Sequence, residues 1–162
     1  MSRRLVTAAV VLSLGSLAYA QPAGKPLPKQ QPPVKEAITV TCDFIEITAT
    51  SEKEASVDPA LAALKKKFRK PPFSSWNVFK MQHRESRTLA QKKPETIRLK
   101  VGQAEAKFLG TANKSQLRLS ISLDVNGKNI VNTTATVEAA DYLVYGHALP
   151  DNAGHLLALT CK

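Results

Sequence analysis

The amino-acid sequence predicts an all-β fold, a β-sandwich or partly open barrel of about seven to nine antiparallel strands, with one short helix near residues 59–69. The clearest observation is the segment Leu117–Val125, in which apolar and polar residues alternate strictly, as in a half-buried strand. The dipeptide Asn126-Gly127 follows it directly and is typical of a type I′ hairpin turn. Short segments of the same kind, separated by turn residues, recur as far as the carboxyl terminus.

The folded region opens with the alternating segment Ile38–Cys42, which predicts a strand. Beyond it the apolar residues change from even to odd positions, at Ile45, Ile47 and Ala49. A β-bulge near Asp43–Phe44 would explain this change of parity, because one extra residue reverses which side chains face the core.

A single helix is predicted after this strand. Asp58 is a suitable N-cap, and Pro59 suits the first helical position. An apolar face is formed by Leu61, Leu64 and Phe68, and the helix is expected to end before Pro71-Pro72. Its other face carries five cations: Lys65, Lys66, Lys67, Arg69 and Lys70.

The remaining elements are predicted as strands from alternation and turn residues. Five of these segments are Trp76–His83, a short strand around Thr88-Leu89, Ile97–Val101, Ala104–Phe108 and Val131–Val137. A last hairpin is expected to pair Tyr142–His147 with His155–Cys161.

Residues 1–20 have the pattern of a Sec-type signal peptide. Arg3 and Arg4 precede the apolar run Leu5–Leu14, and small residues at Ala18 and Ala20 place the expected cleavage after Ala20. Residues 21–35 are rich in proline and are interpreted as a linker, so residues 36–162 form the expected single β-sandwich domain. We therefore expect a periplasmic or secreted protein with no transmembrane segment in the mature chain.

The chain has two cysteines, Cys42 and Cys161, near the two ends of the predicted domain. In an oxidising compartment such a pair is expected to form one disulfide, which would fasten the first strand to the last. Two isolated cysteines do not supply the ligands of a metal site.

The net charge of +10 favours an anionic partner. The cationic face at Lys65, Lys66, Lys67, Arg69 and Lys70 is the candidate contact with an anionic envelope polymer or a protein, whereas nucleic acid is not favoured. The alternative is that this face is a solvated helix surface without a partner. The sequence does not indicate an oligomeric state.

A metal site is a second hypothesis. Met81 and His83 are two residues apart, which places a thioether and an imidazole on one strand face and suits copper. His147 and His155 flank the last hairpin and are expected to approach each other across it. The unrelated spacings of the histidines argue against such a site, and we expect no cofactor.

No catalytic motif is found. The sequence has no Gly-x-Ser-x-Gly elbow and no glycine-rich phosphate loop. The carboxylates of Glu36, Asp43, Glu46, Glu52 and Glu54 are expected to be solvated, not paired for glycoside hydrolysis. A hydrolase with an unrecognised site therefore remains only an alternative.

Several segments resemble a group of small exported bacterial β-rich proteins of unknown function. They are Asp58-Pro59, PPFSSWNVFK, LRLSISLDVNGK and LLALTCK. The resemblance implies a periplasmic location, a short helix and a run of β-hairpins, and it implies no catalytic residues. The sequence as a whole predicts a non-catalytic binding or structural module of the bacterial cell envelope or of a secretion assembly.

Overall fold

Two β-sheets share one apolar interior in the computed structural model, which describes residues 37–162. The strands are β1 (Thr39–Thr50), β2 (Ser56–Val57), β3 (Val78–Ala90), β4 (Pro94–Leu99), β5 (Gly102–Thr111), β6 (Gln116–Val125), β7 (Lys128–Glu138), β8 (Leu143–Ala148) and β9 (Gly154–Cys161). The five-stranded sheet has the order β2-β3-β1-β9-β8, and the four-stranded sheet has the order β4-β5-β6-β7. The predicted all-β class is confirmed. The signal peptide and the proline-rich linker predicted at residues 1–35 lie outside the described residues.

The strand predictions need three amendments. The strand expected at Ile97–Val101 is β4 (Pro94–Leu99), and Lys100 and Val101 lie in the turn that follows it. The segments expected at Trp76–His83 and around Thr88-Leu89 form one continuous strand, β3, which begins at Val78 and not at Trp76. The two-residue strand β2 runs parallel to β3, whereas every other pairing in the two sheets is antiparallel.

The helical segment packs on the face of the five-stranded sheet that points away from the four-stranded sheet. It consists of a 3-10 helix at Pro59–Leu64 followed by the single-turn helix α1 (Lys65–Phe68). Asp58 caps it as predicted, since its side chain accepts a hydrogen bond of 2.9 Å from the backbone N–H of Ala60. The predicted apolar residues Leu61, Leu64 and Phe68 are all buried.

Strand β1 is covered on both faces by different partners. Its even-numbered residues Val40, Cys42 and Phe44 belong to the core between the sheets. Its odd-numbered residues Ile45, Ile47 and Ala49 belong to a second core beneath the helical segment. The change of parity in the sequence therefore reflects a change of covering partner, and the bulge predicted near Asp43–Phe44 is wrong.

The irregularity lies in β3. Glu46 of β1 is paired with His83 and the next residue, Ile47, with Met81, so Gln82 is the extra residue of a β-bulge. On one side of the bulge Met81 packs in the core beneath the helical segment, and on the other side Leu89 packs between the sheets. The bulge thus allows β3 to supply both cores.

The turn predicted at Asn126-Gly127 and the predicted disulfide are both present. Asn126 and Gly127 have φ angles of 51° and 75°, the left-handed conformation that a type I′ turn requires at both positions. Cys42 and Cys161 are opposite each other in the β1–β9 ladder and form the disulfide. No helix within residues 37–162 is long and apolar enough to cross a membrane.

Candidate functional site

The cationic segment Lys65–Lys70 is held by its apolar side, and most of its charges point to solvent. Phe68 is buried and stacks on Phe79 of β3, with ring centroids 4.0 Å apart. Lys67 is half-buried and forms a salt bridge of 2.9 Å with Asp141. The other four cations are exposed and have no ion-pair partner among residues 37–162: Lys65, Lys66, Arg69 and Lys70.

A groove of about 520 Å³ lies between this segment and the edge strand β2. Lys65 and Arg69, one helical turn apart, line one side of it. The remaining lining residues are apolar or uncharged: Ala55, Ser56, Val57, Phe68, Ser74, Trp76, Asn77 and Phe79. The groove therefore has positive charge on its wall and no carboxylate or imidazole for proton transfer, so it suits binding of an anion better than hydrolysis.

Side-chain hydrogen bonds fix the walls of the groove. The amide of Asn77 accepts a hydrogen bond from the backbone N–H of Glu52 and donates one to its carbonyl oxygen, at 2.9 and 2.7 Å. The indole N–H of Trp76 donates to the carbonyl oxygen of Asn152 at 2.7 Å. The ring also lies so close to Gly154 that a Cβ there would be 2.6 Å from it. Trp76 is thus a packing residue, and its position is set before any ligand arrives.

The histidines and Met81 are only partly brought together. His147 and His155 are opposite each other in the β8–β9 ladder, with ring centroids 5.4 Å apart in an edge-to-face arrangement. Met81 and His83 do not share a strand face, because the bulge at Gln82 lies between them. Within residues 37–162, no group of three or more histidine, cysteine, aspartate or glutamate side chains is placed to hold a metal ion.

The sequence predicts a solvated Glu46, and this prediction is wrong. Its side chain is completely buried, not solvated. One carboxylate oxygen accepts hydrogen bonds from the backbone N–H of Val101 at 3.0 Å and lies 2.8 Å from Nε2 of His155. The other oxygen accepts one from the backbone N–H of Lys100 at 2.7 Å. Glu46 therefore links the five-stranded sheet to the turn between β4 and β5.

The electrostatics of this cluster depend on burial and on hydrogen bonds. Burial alone would raise the pKa of Glu46, but the hydrogen bonds from His155, Lys100 and Val101 outweigh it and lower that pKa. Burial, with a smaller contribution from His155, lowers the pKa of His147. The Nδ1 atoms of His147 and His155 are buried and have no hydrogen-bond partner among the described residues.

The parity of β1 was the signal that could have identified Glu46. It has the same parity as Val40, Cys42 and Phe44, which face the interior between the sheets. If β1 is a regular strand, Glu46 must face that interior too. A bulge at Asp43–Phe44 would instead have turned Glu46 away from that interior, which is why the sequence predicted it to be solvated.

The fold and the exposed cations define a class: a disulfide-linked β-sandwich with a basic helical segment on the outer face of one sheet. Comparisons with protein-family models, with characterised proteins and with solved structures find no match to the chain. The resemblance to small exported bacterial proteins accordingly stays a prediction.

Proposed function

We propose that the protein is an exported, non-catalytic binding module of the bacterial cell envelope, and that its cationic segment contacts an anionic envelope polymer. The observation that carries this proposal is the set of four exposed cations without ion-pair partners among residues 37–162, at Lys65, Lys66, Arg69 and Lys70. Because no carboxylate within residues 37–162 neutralises these cations, their charge is available to an external anion.

The anchoring of the segment supports binding over simple solvation. Leu61, Leu64 and Phe68 hold it against the sheet, and the Lys67–Asp141 salt bridge ties it to the stretch between β7 and β8. Less conformational freedom is therefore lost on binding than for cations on a free loop. The groove beside Lys65 and Arg69 offers space for one anionic group of the polymer.

Export is the second part of the proposal. The Cys42–Cys161 disulfide is stable in an oxidising compartment such as the periplasm, and the predicted signal peptide at residues 1–20 would direct the chain there. An exported chain would meet the anionic polymers of the cell envelope, so the proposed export and the proposed anion binding support each other.

Binding to a polymer of uronic acids, measured by calorimetry at several salt concentrations, tests the proposal. We expect the affinity of the wild-type chain to fall as salt is added. Reversal of the four exposed cations (K65E, K66E, R69E and K70E) should weaken binding at low salt at least about tenfold. Lys67 is left unchanged because it is paired within the fold.

The matched control reverses four cations elsewhere: Lys92, Lys93, Lys114 and Arg118, all exposed. It changes the net charge equally and leaves the cationic segment intact, so it should bind much more tightly than the first variant. Equal affinities of the two variants, or no binding by the wild-type chain at low salt, would overturn the proposal.

A further inference from the structure

Strand β7 is an open edge of the four-stranded sheet. It is eleven residues long, and β6 is its only neighbour in the sheet. Apart from the N–H of Asp141, which donates to the carbonyl oxygen of the last residue, Glu138, no backbone group within residues 37–162 is hydrogen-bonded to the outer edge of β7. A strand edge of this kind presents a row of N–H and C=O groups that can pair with another strand.

The other three sheet edges are protected in ways that β7 is not. β2 is only two residues long. β4 has six residues, begins with Pro94 and carries the charges of Glu95 and Arg98. β8 also has only six residues. Short length, proline and charge are the devices by which proteins block edge-to-edge pairing.

The sequence of β7 instead favours pairing. Asn129–Val137 has no charged residue and no proline, and it consists mostly of β-branched residues. The single bulge, at Ile130, lies near one end and leaves Val131–Val137 regular. The exposed side of this stretch is formed by Asn132, Thr134 and Thr136.

We propose that a second copy of this chain occupies the edge, through antiparallel pairing of β7 with β7 about a two-fold axis at Thr133. This register places Asn132 opposite Thr134 of the second copy on the exposed face, and Val131 opposite Ala135 on the core face. Polar residues thus meet polar residues, apolar residues meet apolar ones, and Val131–Val137 contains no charged side chain. The stretch is therefore complementary to itself, and the pairing joins two four-stranded sheets into one continuous sheet.

The positive charge of the chain does not oppose this arrangement locally. The cationic segment packs with the core on the outer face of the five-stranded sheet, whereas β7 belongs to the other sheet. The proposed dimer contact and the proposed anion-binding surface are thus separate and can be tested separately.

Sedimentation equilibrium of the exported, oxidised protein over a range of concentrations tests the dimer. The variant N132K/T134K places lysines opposite lysines across the two-fold axis and should raise the dimer dissociation constant about tenfold or more. The variant N132E/T134E should weaken self-association in the same way. Mixing the two variants should restore dimers that contain one copy of each.

The matched control is S120K/S122K, on the central strand β6, because Ser120 and Ser122 are the direct neighbours of Thr134 and Asn132 in the ladder. It adds the same charge to the same sheet without reaching the edge, and its dimer should be like that of the wild type. A monomeric wild-type chain at every concentration would overturn the proposal. So would a control that dissociates as readily as N132K/T134K, or a mixture of the two charge variants that stays monomeric.

Discussion

The carboxylate of Glu46 accepts its hydrogen bonds where water does not reach it. Two donors are backbone N–H groups of the turn between β4 and β5, and the partner at 2.8 Å is His155 of β9. A buried carboxylate is tolerated only when its hydrogen-bonding capacity is met in this way. One side chain therefore holds together two sheets whose other contacts are almost entirely apolar.

Replacement of Glu46 by glutamine should lower the free energy of unfolding by about 2–4 kcal/mol at pH 7, since the amide nitrogen, in either orientation, would face a backbone N–H donor. The loss should depend on pH. The folded pKa of Glu46 lies below the ordinary value of 4.5, so the stability it provides is complete above pH 4.5 and is lost as pH falls through the folded pKa. Urea denaturation at several pH values should show the difference between wild type and E46Q narrowing as the medium becomes acidic.

The control is E105Q on β5, where the glutamate is exposed. Its effect should stay within about 0.5 kcal/mol at every pH. A difference between wild type and E46Q that is unchanged on acidification would show that the ionised carboxylate is not the stabilising species.

At the scale of elements, the bulge at Gln82 decides which core each half of β3 enters. Deletion of Gln82 would make β3 regular, so either Phe79 and Met81 or His83–Leu89 would turn to the opposite face. We expect a loss of at least about 3 kcal/mol in stability, or failure to fold, because either outcome removes buried side chains from one core. Circular dichroism and thermal unfolding measure this effect.

Deletion of Lys114 provides the comparison, because it shortens an exposed turn between β5 and β6 and leaves the pairing of both strands in place. That variant should remain folded. If deletion of Gln82 were equally mild, the bulge would not be what places Met81 and Leu89 in different cores.

Local patterns predicted the elements that depend on local contacts. The N-cap at Asp58, the apolar face of the helical segment and the turn at Asn126-Gly127 each follow from residues within a few positions of one another. The location of the bulge in β3 could not be predicted from local patterns, because it depends on which elements pack on each face of the five-stranded sheet. Glu46 was missed for the same reason: its hydrogen-bond partners Lys100 and His155 are 54 and 109 positions away in the chain.

At the scale of the whole molecule, the cationic segment packs on the five-stranded sheet, whereas β7 is an edge of the four-stranded sheet. The disulfide joins two neighbouring strands of the five-stranded sheet. Cys42 of β1 and Cys161 of β9 are separated by 119 positions, which spans almost all the described residues. Because both cysteines are buried in the core between the sheets, the bond is shielded from solvent in the folded state. Its main effect is therefore expected in the unfolded chain, whose freedom it restricts.

Removal of this cross-link tests that view. In the chain-entropy account, closing a loop of 119 positions stabilises the fold by about 4–5 kcal/mol, so C42A/C161A should lose about that much in urea denaturation. Reduced wild-type protein should lose a similar amount, which separates the cross-link itself from the loss of the two sulfur atoms. The far-UV circular dichroism spectrum of the folded double variant should match that of the wild type, since β1 and β9 remain paired by their backbone hydrogen bonds. A double variant as stable as the oxidised wild type would mean that the unfolded chain is already compact and that the disulfide restricts little of its freedom.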